Sequence, residues 1–285
     1  EGTARLADIA ARFTEDPEVE ARLAQTRGIE ARYGGDIVAH VRWTERALAA
    51  FETIGDRRTA AVLEANLGDG LKELGQHADA EQRLKHALAT ARELSLEAIT
   101  GPVHLNLGTL ALRRGDPDAA AALFEEGIDL FGRSGDRRYE AVGRLFLALA
   151  ELARGRLDEA RGASDTATVL FSDGSPYLPL ALAIDARCRL AAGDVESALA
   201  CAERAVQKLD ELDHVEEGEV TARLTLAETR EAAGDREGAR AALRVARAKL
   251  AEAAAAIADP AWRRSFEEAI PEHLRVRELA LAWNA

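Results

Sequence analysis

The sequence predicts an all-α fold, an α-solenoid of about six stacked helical hairpins forming a single domain over residues 1–285. Three observations carry that expectation. The first is composition: 47% of residues are hydrophobic but only 5% aromatic, and Ala, Leu, Arg and Glu dominate, as close-packed helices with short side chains at their contacts require. The second is a recurrence of glycine at Gly35, Gly75, Gly115, Gly155, Gly193 and Gly234, with successive gaps of 40, 40, 40, 38 and 41 residues. The third is a set of small-residue columns in the same register. Seven residues before the glycine stand Gly28, Gly68, Gly108, Ala148, Ala186 and Ala227; twelve after it stand Ala47, Ala87, Gly127, Ala167, Ala205 and Ala246. Five after it the column reads His40, Ala80, Ala120, Ala160, Ala198 and Ala239.

Two antiparallel helices approach closely only where a side chain is small, so these columns mark helix crossings. The recurring glycine supplies the left-handed residue that ends the first helix of each unit, and Asp36, Asp116, Asp194 and Asp235 follow it as N-caps of the second. In the second unit Leu67, Leu71, Leu74, Leu84 and Leu88 give two amphipathic faces. One hairpin alone cannot bury that stripe, so stacking on the next is obligatory. In chain order the pattern gives a leading helix at 2–13, hairpins at 17–54, 57–94, 97–134, 137–171, 177–212 and 215–258, and a cap at 260–285. Leu274, Leu279, Leu281 and Trp283 are expected to cover the sixth hairpin. Pro102 should kink its helix or mark its first turn. Gly162, Ser164, Thr166 and Thr168 weaken a predicted helix, and Ser172 to Pro176 is the clearest break in the chain, read as a flexible joint or an inter-repeat loop. His40, alone in a column of alanines, predicts a looser crossing in the first unit.

These residues resemble the tetratricopeptide repeat (TPR) family. In the best-matching unit Gly68, Ala80 and Ala87 occupy the family's small positions and Leu67, Leu71 and Leu84 its large ones. The resemblance covers roughly residues 17–258 and implies a right-handed superhelix, although the period is near 40 rather than the usual ~34 and the common Trp, Tyr and terminal Pro are missing. The longer repeat is similar to the sensor regions of large bacterial signalling proteins, where repeats follow an ATPase or protein-kinase module. The stretch Asp259 to Phe266, followed by Ile270, Pro271 and Glu272, is similar to the end of such regions.

Chemistry is sparse. His40, His77, His86, His104, His214 and His273 show no metal-ligand spacing, and Cys188 and Cys201 form no paired motif, so no metal, no cofactor and no catalytic residue is expected. Gly68-Asp69-Gly70 lacks the Gly-Lys-Ser/Thr ending of a phosphate loop. Arg57-Arg58 and Arg137-Arg138 read as repeat-to-repeat helix starts. The formal net charge of −13 repels phosphate backbones and anionic lipid, which excludes nucleic acid and membrane as general partners. No apolar run approaches the ~20 residues of a membrane span, and cysteine usage fits the cytoplasm. With no methionine anywhere, the sequence reads as part of a longer polypeptide.

Partner contacts are expected on the concave face lined by the first helix of each hairpin. The register places Ala65, Asp69 and Lys72 there from unit two, and Leu105, Thr109, Leu112 and Arg113 from unit three. Unit four adds Val142, Leu145, Leu149 and Leu152, and unit five Ala183, Arg187 and Leu190. The apolar middle, bordered by charge, suits an extended peptide or an amphipathic helix. The alternative is that tight curvature buries these leucines between neighbouring hairpins. The functional expectation is a non-catalytic interaction or sensor scaffold for a peptide, a protein or a domain of the same polypeptide. A structural spacer or oligomerisation array, and an accessory region to a kinase or ATPase outside this chain, are the alternatives.

Overall fold

The computed structural model describes residues 16–212 and 218–285; the expected leading helix at 2–13 and His214 lie outside the described residues. Fourteen α-helices and no strand occur among the described residues. The first hairpin pairs α1 (Pro17–Tyr33) with α2 (Ile37–Ile54), and the second α3 (Arg57–Glu73) with α4 (His77–Glu93). Next come α5 (Glu97–Arg113) with α6 (Pro117–Ser134), then α7 (Arg137–Ala153) with α8 (Leu157–Leu170). The last two hairpins are α9 (Leu178–Ala191) with α10 (Val195–Asp210), and α11 (Glu219–Ala232) with α12 (Arg236–Ala256). Two short helices, α13 (Pro260–Glu268) and α14 (Pro271–Trp283), close the chain. The fold class is therefore the expected one, an all-α repeat of helical hairpins.

The turns follow from backbone sterics. All six recurring glycines have φ between 72° and 83°, a region that costs other L-residues about 1–2 kcal/mol. The four expected aspartates cap as anticipated, Asp36, Asp116, Asp194 and Asp235 each accepting a backbone N–H three residues on. In hairpins two and four Gln76 and Arg156 take that place and make no side-chain cap bond. There the cap belongs to the first helix instead, through Asp56 and Asp136 after left-handed Gly55 and Gly135. Pro102 lies beyond the first turn of α5 and the helix runs through it.

Packing divides the chain into two compact units, residues 1–106 and 107–285, the division falling within α5. In the first unit Val41, Phe51, Leu67, Leu74 and Leu84 are buried, and the crossing at Gly68 is so close that a Cβ there would lie 2.6 Å from Leu84 Cγ. His40 does not loosen its crossing. It is buried, and its Nδ1 donates to the Gly28 carbonyl at 2.8 Å. The ring also presses on α3, where a Cβ at Gly70 would stand 3.0 Å from His40 Cδ2.

In the second unit Phe124 fills the space above Gly108, whose Cβ would lie 2.5 Å from the ring, and stacks on Phe146 at 5.8 Å. The break at 172–176 is braced by Phe171 stacking on Tyr177 at 6.0 Å, with Arg138 over the Tyr177 ring. The last helix packs Val276, Leu279 and Ala280 against a core that includes Leu224, Leu243 and Leu250, with Trp283 at its edge. Leu274 and Leu281 do not join them and are exposed, Leu281 to 81%. At 3.6 residues per turn, positions 276, 279, 280 and 283 share one face of α14, and 274 and 281 fall on the opposite one.

Candidate interaction surface

Counting back from the turn glycine shows which side chains share the outward edge of the first helices. Three residues before it stand Arg32, Lys72, Leu112, Leu152, Leu190 and Glu231; six before it stand Ile29, Asp69, Thr109, Leu149, Arg187 and Glu228. The same helical positions thus carry one charge and one exposed isoleucine in hairpin one, two charges in hairpin two, mostly apolar groups in three to five, and acid in six.

In the first unit those charges consume one another. Arg32 on α1 pairs with Asp69 on α3 at 2.9 Å. Lys72 is only 4% exposed at its side chain, and its ammonium lies 3.1 Å from Asp69, 3.1 Å from Glu73 and 2.9 Å from Asn106 Oδ1 on α5. The ammonium is thus engaged by two carboxylates and one amide oxygen. Burial raises the Asp69 carboxyl, but the Arg32 guanidinium and the Lys72 ammonium outweigh it and hold that carboxyl well below the usual carboxylate range. Asp69 and Lys72, expected as partner contacts, are therefore placed in a polar brace joining three first helices. Leu105, also expected in the groove, is buried in the same unit. Arg32 and Asn106 escaped the sequence reading; the first shares a register column with Lys72, while nothing marks the second before the fold brings it near.

In the second unit Leu145 is fully buried, and Thr109, Val142 and Ala183 are buried too. They belong to the core, and α7, which carries Val142 and Leu145, packs beside α9, which carries Ala183. Leu112, Arg113, Leu149, Leu152, Arg187 and Leu190 keep part of their surface open. The far edge is fenced by α14, which sets Glu272 against Arg187 at 3.5 Å and Arg275 against Glu228 at 3.0 Å. This fence was not legible in the sequence, since it pairs positions more than 40 residues apart.

The remaining reactive-looking groups are held by packing. His86 bonds the buried Glu64, which Arg83 also approaches at 3.4 Å. His104 and His273 donate Nδ1–H to the carbonyls of Thr100 and Phe266, each at 2.7 Å. Burial, with the Asp185 carboxylate nearby, pushes the Cys188 thiol up to about 11; burial and donation to the same carboxylate at 3.2 Å push Cys201 up to about 11. Thiols so shifted are poor nucleophiles at neutral pH. No group of three His, Cys, Asp or Glu side chains suited to a metal ion, and no helix long and apolar enough to cross a membrane, occurs among the described residues.

The family model described as the MalT-like TPR region matches residues 4–262, and the chain belongs to that family. No curated protein matches it by sequence. Among solved structures, a Rap protein complexed with competence and sporulation factor aligns over 97% of this chain and 81% of its own, with a TM-score of 0.66 and 12% identity. The Rap conjugation gene regulator of plasmid pLS20 in complex with the Phr* peptide aligns over 95% and 78%, with a TM-score of 0.68 and 14% identity. BtubC from P. vanneervenii aligns over 86% and 94%, with a TM-score of 0.55 and 20% identity. At such identities the likeness is one of fold.

Proposed function

We propose that this MalT-like TPR region is a protein-interaction scaffold whose first-helix face in residues 107–285 receives an extended peptide or an amphipathic helix. The observation that carries the proposal is the half-open set Leu112, Leu149, Leu152 and Leu190, at positions where the first unit spends charged side chains on itself. Partly exposed leucines at matching positions of successive first helices gain by losing water to a partner. The two Rap structures of similar fold are complexes with a peptide and with a sporulation factor, which supports a peptide or protein as occupant here.

The finer reading follows the resemblance of the long repeat and of the Asp259 to Glu272 segment. The chain would serve as a non-catalytic sensor domain, one array over 1–285, in a cytoplasmic bacterial signalling protein, and its occupant would be a separate protein or a domain of its own polypeptide. A net charge of −13 disfavours nucleic acid.

A random peptide library displayed on phage and selected on the whole chain tests this. Selected peptides are expected to lose at least about tenfold in affinity, about 1.4 kcal/mol, on Leu152→Glu or Leu190→Glu, with helicity by circular dichroism unchanged. Peptides that bind wild type and both variants alike would remove the first-helix face from consideration. Failure to select any peptide, together with self-association by light scattering, would favour the spacer or oligomerisation reading.

A further inference from the structure

We propose a second docking site, on the side of the second helices, for a basic amphipathic helix of a protein partner. The site is a cleft of about 400 Å³ lined by Glu125, Ile128 and Asp129 of α6, Arg144 and Leu147 of α7, and Gly162, Ala163 and Thr166 of α8. That volume lies within the ~300–1,000 Å³ of ordinary ligand sites.

The cleft has a cause in the sequence. Its α8 wall is built from Gly162, Ala163 and Thr166, whereas eighty residues earlier the same repeat positions hold Gln82, Arg83 and His86. In hairpin two, Arg83 and His86 reach over to Glu64. In hairpin four the position of Glu64 is Arg144, which Glu140 of its own helix already neutralises, and no long side chain extends from α8 to meet it. A Cβ on Gly162 would touch nothing within 4 Å. The poor helix formers in α8 thus leave an opening that hairpin two fills.

Charge and shape specify the occupant. The floor offers Ile128 and Leu147, both half-buried, enough for one leucine-sized side chain. Of the walls, α6 sets Glu125 and Asp129 at the cleft, while its Asp118 is engaged by Arg154 at 2.9 Å and Asp165 of α8 by Arg189 at 3.6 Å. Asp129 pairs with exposed Arg133 at 3.4 Å, an ion pair of little strength in water. A helix that inserts a leucine and sets its flanking lysines or arginines against Glu125 and Asp129 matches an apolar slot with an acidic α6 wall, and the field of that wall also favours its encounter.

The test uses the whole chain and a fluorescein-labelled 14-residue Lys/Leu peptide of amphipathic design, with a scrambled peptide of equal composition as the charge control. Anisotropy at 0.15 M salt is expected to show the designed peptide binding at least about tenfold more tightly than the scrambled one. Gly162→Leu fills the slot, meets open space and replaces a poor helix former, so it should abolish that preference while the thermal midpoint holds or rises. Glu125→Lys together with Asp129→Lys should weaken the designed peptide about tenfold and flatten its salt dependence. Leu152→Glu, on the first-helix face, should leave it unchanged. Equal binding of the two peptides to wild type, or an unchanged preference in Gly162→Leu, would overturn the proposal. Loss of the designed peptide on Leu152→Glu but not on Gly162→Leu would place it on the other face, sparing the function proposed above and overturning this site.

Discussion

Hairpins two and four are the same structure eighty residues apart, and they use it in opposite ways. Hairpin two is braced on both faces: Lys72 is engaged by Asp69, Glu73 and Asn106 on the first-helix face, and Arg83 with His86 covers Glu64 on the other. Hairpin four puts Leu152 where Lys72 stands and Ala163 and Thr166 where Arg83 and His86 stand, and both of its faces stay open. A repeat fixes where side chains project, and the residue at each projection decides whether the hairpin braces its neighbours or presents a surface.

Breaking the brace should have the largest effect. Lys72→Met removes one of the two cations at Asp69 and the ammonium beside Glu73 and should destabilise the chain by about 1–3 kcal/mol, the cost typical of a lost hydrogen bond to a charged group. Hydrogen exchange should show the loss of protection concentrated in residues 17–93, and Leu152→Met at the matching position should change stability by less than about 1.5 kcal/mol. Overpacking a crossing comes next. Gly68→Ala and Gly108→Ala each force a Cβ within 2.6 Å of Leu84 or Phe124, and urea midpoints should report losses of about 1–3 kcal/mol.

A subtler contrast lies in the turns between hairpins, where Gly55 and Gly135 are left-handed and Ser95, midway between them, adopts φ 54°. Ser95→Gly should stabilise by about 1 kcal/mol, read as a higher urea midpoint. Ser95→Ala, lacking that freedom, should not.

Acid sharpens the brace further. The Asp69 carboxyl is held below its unfolded value, so the unfolded chain binds the extra proton and stability must rise with pH through that interval. The contribution is complete above roughly pH 4–5 and is lost as pH falls toward the lowered folded value. Asp69→Asn should flatten the dependence of the urea midpoint on pH below about 5, and an unaltered profile would show that Asp69 carries no such share. The smallest effect concerns thiols. With Cys188 and Cys201 pushed up to about 11, both should alkylate at pH 8 more slowly than a free cysteine, by mass spectrometry of timed samples.

The hairpins were legible because their signals are local. A left-handed glycine, an aspartate three residues before the amide it caps, and a missing side chain at a crossing act within one or two turns of helix. Gly35 through Gly234 and Ala80, Ala87 and their equivalents could be read for that reason, as could the kinship with TPR chains. The contact surface was half legible. Register identified the edge of the first helices, but Leu105 and Leu145 turned inward, because a 3.6-residue period names a face and not the depth at which a neighbouring helix covers it.

The sequence by itself determined the helices, their turns and the positions that must stay small, since steric exclusion and capping need no distant partner. Only the tertiary structure decided that Lys72 bonds Asn106, that Glu272 reaches Arg187, that His40 bonds Gly28, and that a slot opens beside Gly162. Each of those depends on which side chains meet across separate helices. Exposure and charge pairing are properties of that meeting, and one helix's pattern carries no record of what stands opposite it.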